Sequence, residues 1–191
     1  MRWSIETVTG PAEEPLTLAN ARDHLRVDQD YEDAKVASYI VAARSHIERV
    51  TGCRFRPQTV RAWFDAWPEG DTLELHVHPV SAVDYIKYYD SANAEATLGG
   101  GVYDFDSSAF APRAVLRSSQ SWPGSQLRPS RGVACQLQAG WPIVPGDLTQ
   151  ALIFLVAHFY ENPTMVLSGG RSVVLPFTFE SLIEPWRLRH G

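Results

Sequence analysis

The stretch ALIFLVAHFYENP, residues 151–163, constrains this chain more than any other, because as a helix it is apolar nearly all the way round. Thr149 and Gln150 just before it, and His158 and Glu161 within it, leave too short an apolar run for a membrane span, which needs roughly 20 predominantly apolar residues. At about 100° per residue, Leu148, Leu152, Leu155 and Phe159 share one face while Ile153, Phe154 and Ala157 fall on the opposite side. Both faces therefore need covering. Either the rest of the chain supplies both walls, or a neighbouring subunit supplies the second. Asp147, with Gln150 three residues later, reads as a capping box that starts this helix.

Two helices are predicted upstream. PLTLANARDHLRV carries Thr17 as a cap and Leu18, Ala21 and Leu25 at helical spacing, which predicts a short helix over residues 17–27. Asp30 is placed to cap a longer one, in which Val36, Ile40, Ala43, Ile47 and Val50 form a single apolar stripe and Gly52 is the natural stop. From Pro57 the period changes to two. Val60, Ala62 and Phe64 alternate with Arg61, Trp63 and Asp65, and Leu73, Leu75 and Val77 with Thr72, Glu74 and His76. VSAVDYIKYYD, VYDFD, RAVLRS and GVACQLQAG continue as strands, separated by SANAEATLGGG and SQSWPGSQLRPSRG as turn material.

After the apolar helix, ENPTMVLSGGRSVVLP reads as a mobile loop. FTFESLIEPWRLRHG then reads as a final short helix bent or ended near Pro185, with Phe177, Phe179 and Trp186 beside Arg187 and Arg189. Aromatic residues with arginine are the chemistry of interface hot spots. The predicted fold class is α+β. Residues 1–56 and 141–191 form one helical domain, the C-terminal helices packing with the N-terminal ones, and residues 57–140 form an inserted antiparallel β unit.

Composition narrows the function. A net charge of −5 offers no cationic footprint for nucleic-acid phosphates or anionic lipid, which argues against sequence-specific DNA binding. Cys53 and Cys135 lie in no CxxC pair and suit a reducing compartment as idle thiols. MRWSIETVTG lacks the apolar core of a signal peptide, so export by that route is not expected. No nucleophile elbow, phosphate loop, dinucleotide fingerprint or HExxH occurs, so no catalytic residue, metal or cofactor is predicted.

Two rival readings stand beside a structural role. Trp63, Trp67, Trp122 and Trp141 would make a carbohydrate- or ligand-binding β module if two of them were exposed and parallel. Glu74, His76 and His78 would make a metal hydrolase if one strand face aligned them with an open coordination position, although the solvated face of a strand is their ordinary fate. His158 and Glu161 form one helical pair and no more; a di-metal bundle needs further carboxylates on facing helices.

The two ends of the chain carry a resemblance. PLTLANARDHLRVDQDYEDAKVASYIVAARSHIERVTGCRFRPQTV, then VPGDLTQALIFLVAHFYENP, then LPFTFESLIEPWR resemble, in order and spacing, the long-form head-tail connector (adaptor) proteins of tailed bacteriophages and gene transfer agents. The β region between them is similar in kind, including SWP at 121–123. What the resemblance implies is a homo-oligomeric ring of about a dozen subunits at the head-tail junction of a virion or phage-like particle, assembled in the bacterial cytoplasm. The ring would sit between the portal protein and a tail-side connector or stopper protein, with DNA passing through its channel and no membrane involved. In such a ring Ile153, Phe154 and Ala157 would meet the neighbouring subunit. Phe179, Leu182, Ile183, Trp186 and Arg187 would contact the portal.

Overall fold

The computed structural model of the chain describes residues 1–27, 30–107, 111–162 and 177–188. They divide into two compact units, one of Met1–Ala12 with Pro57–Trp141, the other of Glu13–Arg56 with Pro142–Gly191.

The first unit is all β. Strands β1 (Trp3–Thr9), β2 (Gln58–Phe64), β4 (Val80–Tyr89), β5 (Glu95–Thr97) and β8 (Val133–Ala139) form an antiparallel sheet in the order β1-β2-β8-β4-β5. Strands β3 (Thr72–Glu74), β6 (Tyr103–Asp106) and β7 (Arg113–Leu116) form a second sheet in the order β3-β7-β6. Alternation explains the core. Val60, Ala62 and Phe64 of β2 point the same way as Val133, Cys135 and Leu137 of β8, and both rows join Leu73, Leu75, Val77 and Ala114 in one buried cluster.

The sequence reading placed residues 1–56 among the helices, and the structure corrects its first segment. Trp3–Thr9 is a strand, because Trp3, Ser4 and Ile5 pair with Phe64, Trp63 and Ala62 and so extend the sheet beyond β2. A second correction concerns SANAEATLGGG. Residues 91–94 do turn, with Asp90 Oδ1 accepting from the amides of Ala92 (2.8 Å) and Ala94 (2.9 Å), but Glu95–Thr97 return as β5 against Lys87–Tyr89.

The second unit is helical. Helix α1 (Leu18–Leu25) opens on Thr17, whose Oγ1 accepts from the Asn20 amide at 3.2 Å, as the sequence predicts. Helix α2 (Asp33–Thr51) follows a 3-10 turn at Asp30–Glu32 and stops at Gly52, whose φ of 79° is a left-handed conformation that glycine adopts without strain. Its N-cap is Glu32, with no side-chain cap bond; the side chain of Asp30, read as the cap, is outside the described residues. Helix α3 (Gly146–Glu161) has Pro145 at its N-cap and likewise no side-chain cap bond. Asp147, read as the start of a capping box, therefore sits within the first turn, where its charge suits the helix dipole. Helix α4 (Phe177–Ile183) runs into a 3-10 turn at Glu184–Trp186, matching the predicted break near Pro185. Val36, Ile40, Ala43 and Ile47 of α2 are buried, as are Leu148, Leu152 and Leu155 of α3, and α3 packs on α1, α2 and α4. The chain is thus α+β, with its C-terminal helices packed on its N-terminal ones. Among the described residues no helix is long and apolar enough to cross a membrane.

Candidate assembly surface

Helix α3 carries the apolar surplus that the sequence pointed to. Its inner side buries Leu148, Ala151, Leu152, Leu155 and Val156 within the helical unit, which leaves Ile153, Phe154 and Ala157 half-buried on the flank. The C-terminal end of α3 is held in place by polar contacts. Tyr160 donates its hydroxyl to Glu32, which also accepts from Lys35 Nζ at 3.2 Å, and Lys35 lies 4.7 Å from the centroid of the Tyr160 ring. The bond from Tyr160, then that from Lys35, holds the Glu32 carboxyl below the usual carboxylate range. The flank is therefore presented from a clamped helix.

The C-terminal segment is anchored differently from the sequence expectation. Phe179 and Ile183, read as portal contacts, are 1% and 0% exposed in the chain's own helical core. The reason is spacing: four residues apart, they share one face of α4, and that face turns inward. The surface left by this segment is narrower, namely Leu182, Trp186 and Arg187, all half-buried. Arg187 is braced by Glu180 (2.6 Å) and Glu184 (3.0 Å), and the Leu188 amide donates to the Thr51 carbonyl at 3.0 Å. The side chain of Phe177, the residue Arg189 and the loop reading of residues 163–176 lie outside the described residues.

The helical unit also exposes apolar side chains that the sequence reading passed over: Tyr31 (80%), Val41 (43%) and Ile143 (85%). Val41 lies off the buried stripe of α2, so helical spacing alone signals it. An open groove of about 470 Å³ is lined by Leu16, Leu18, Ala37 and Ile40, with Glu13 and Glu14 beside them.

The residues of the rival readings are not arranged for chemistry. Strand β3 ends at Glu74, so Glu74, His76 and His78 do not share one strand face. His76 has φ of 51° and stacks on Trp3 at 4.5 Å, while His78 is 4% exposed and meets Trp141 edge-on at 5.9 Å. Among the described residues no group of His, Cys, Asp and Glu is placed to hold a metal. Trp67 and Trp122 are parallel, 9° apart, but they are half-buried and stack on each other at 4.9 Å, so one face of each ring is covered by the other. Both thiols are buried, and burial pushes Cys53 up to about 12, so neither is a nucleophile at neutral pH.

Known proteins resemble this chain in sequence and in fold. A family profile described as phage gp6-like head-tail connector protein matches residues 15–112. A chain from the neck of an empty gene transfer agent particle, computed with C6 symmetry, is similar at 29% identity and a TM-score of 0.77, over 98% of this chain and 97% of that one. A chain from the virion of a native gene transfer agent particle is similar at 28% identity and a TM-score of 0.76, over 98% and 96%. One from the neck of the native particle, computed with C12 symmetry, is similar at 28% identity and a TM-score of 0.77, over 98% and 97%. No curated protein matches. The match covers the N-terminal helices and most of the β unit, and the likeness in fold runs nearly end to end: this chain belongs to the phage gp6-like head-tail connector family.

Proposed function

We propose that the chain is a structural connector, not an enzyme, assembling as a ring of about 12 copies at the head-tail junction of a virion or phage-like particle. The ring sits between the portal protein and a tail-side connector or stopper protein, and DNA passes through its channel without sequence-specific binding. The observation that carries this reading is the half-buried flank of α3, Ile153, Phe154 and Ala157, on a helix already packed on its other side. Family membership and the likeness to gene transfer agent neck chains support the setting.

A ring contact is head-to-tail and joins two unlike surfaces. The α3 flank supplies one. The outer side of α2 at Val41, with the groove beside Leu18 and Ala37, supplies the second. Leu182, Trp186 and Arg187 are the proposed portal contacts, held in position by the burial of Phe179 and Ile183 beneath them.

Replacing Phe154 with Asp tests the ring contact, since a charge buried without a partner costs several kcal/mol. The expected variant is a folded monomer that fails to join portal-bearing capsids. Particles that acquire tails at the wild-type rate with Phe154→Asp overturn the assignment.

A further inference from the structure

The β unit carries ten acidic against seven basic side chains, yet three of its arginines converge on a single indole. Trp63 lies on the face of β2 opposite the core residues Ala62 and Phe64. The guanidinium carbons of Arg131, Arg61 and Arg128 stand 5.4, 5.6 and 5.7 Å from its ring centroid. Arg128 also covers the Tyr89 ring at 4.0 Å, and Tyr89 itself lies 6.1 Å from Trp63. The loop before β8 holds this arrangement tightly: a Cβ added at Gly132 would meet the Asp65 carbonyl oxygen and Leu127 Cβ, both at 3.0 Å.

Among the described residues none of the three guanidinium groups forms an ion pair, although Lys87, Arg113 and Arg117 of the same unit each do. The nearby acids are used elsewhere. Glu6 accepts from Trp63 Nε1 (2.8 Å), Asp65 from the Arg131 amide (2.9 Å), and Glu95 from Lys87 Nζ (2.6 Å) and the Tyr89 hydroxyl (2.9 Å). The Arg128 guanidinium donates to the Arg131 carbonyl (3.0 and 2.7 Å), that of Arg61 donates to Gln136 Oε1 (3.1 Å), and Arg61 Nε is buried without a partner. Three like charges are thus held together by ring faces with no carboxylate among them, and the exposed Arg131 guanidinium keeps its donors for a partner. Arginine with Trp and Tyr is also the composition that dominates interface energetics.

We infer that this cluster is a docking point for a carboxylate-bearing segment of another protein chain in the assembled neck. Charge complementarity selects an anion. Its form selects protein over duplex DNA, because DNA binding calls for cations strung along a phosphate track, and this cluster spans one ring within an acidic unit that repels such a track. The inference rests on the connector reading, since the partner is met only in the particle.

Arg131→Lys, and separately Arg128→Lys, places a primary amine at the cluster. Purified particles carrying either variant are treated with a zero-length carbodiimide and analysed by mass spectrometry, beside the free chain. The expected product is an amide between position 131 or 128 and an Asp or Glu of another chain, present in particles and absent from the free chain. In the same system, Arg128→Ala with Arg131→Ala lowers incorporation about tenfold or more, while the free variant keeps its circular dichroism spectrum. If the chain is present in particles and its amine stays unlinked, links only to Glu6 or Asp65 of its own chain, or is joined to DNA by formaldehyde instead, the inference is wrong and the connector reading survives. If the wild-type chain is absent from particles altogether, the connector reading itself fails.

Discussion

Arg44 lies midway along α2 and holds two carboxylates at once, Glu14 through Nε (2.7 Å) and Glu48 through Nη1 (3.1 Å). Burial works against its charge, but Glu14 and Glu48 outweigh it and hold Arg44 above its ordinary range. Glu48 Oε1 also accepts from the Phe55 amide at 2.9 Å, which fastens the chain just beyond the helix. His46, one turn before Arg49, is shifted the other way: burial first and Arg49 second lower it, and Glu180 only partly opposes them. The folded state therefore takes up its proton at lower pH than the unfolded chain does. The stability this contributes is full above about pH 6.5 and is lost as pH falls through the folded value. Urea midpoints measured between about pH 7 and 5.5 should drop on acidification, and His46→Gln should flatten that drop; an unchanged slope in the variant contradicts the assignment. None of this was legible in the sequence. His46 occupies an ordinary helical position there, while the residues packed beside it in the fold include Phe179, whose ring is 6.5 Å away and comes from the far end of the chain.

At the scale of elements, legibility followed period and locality. Helix α2 was readable because Val36, Ile40, Ala43 and Ile47 repeat at helical spacing and Gly52 ends the run, all within one segment. Strands β1 and β5 were not recognised, because each exists only through a partner, β2 some 50 residues away for β1 and the end of β4 for β5. For α3 the sequence showed two apolar faces, and only the family resemblance gave Ile153, Phe154 and Ala157 as the spare one; in the fold Leu152 and Leu155 go inward and Phe154 stays on the flank. For α4 the sequence showed an adhesive segment and missed that its adhesion is mostly internal. That correction has a direct check. Ile183→Ala removes a fully buried side chain and should destabilise the helical unit by about 2–5 kcal/mol, whereas half-buried Leu182→Ala should cost clearly less. Equal losses in denaturant unfolding contradict the division of α4 into an inner and an outer side.

For the whole molecule, the chain divides into a β unit stapled by its own first strand and a helical unit made from two distant segments. The outer limits of these units were mostly visible in the switch from period 3.6 to period two near Pro57 and back after Trp141. The candidate surface was visible only as a surplus: more apolar side chain on α3 than one core can cover. The surface proposed to meet it was visible only in part: helical spacing puts Val41 off the buried stripe, whereas nothing in the sequence marks the groove beside Leu18 and Ala37 as open. In the connector reading, the flank left on α3 is covered by a second copy of this chain. Electron microscopy of the chain mixed with its portal protein measures this most directly. The predicted result is a closed ring on the portal in which Ile153, Phe154 and Ala157 lie at each subunit boundary. A ring whose α3 flanks face solvent or the channel, or portals that stay bare, contradicts it.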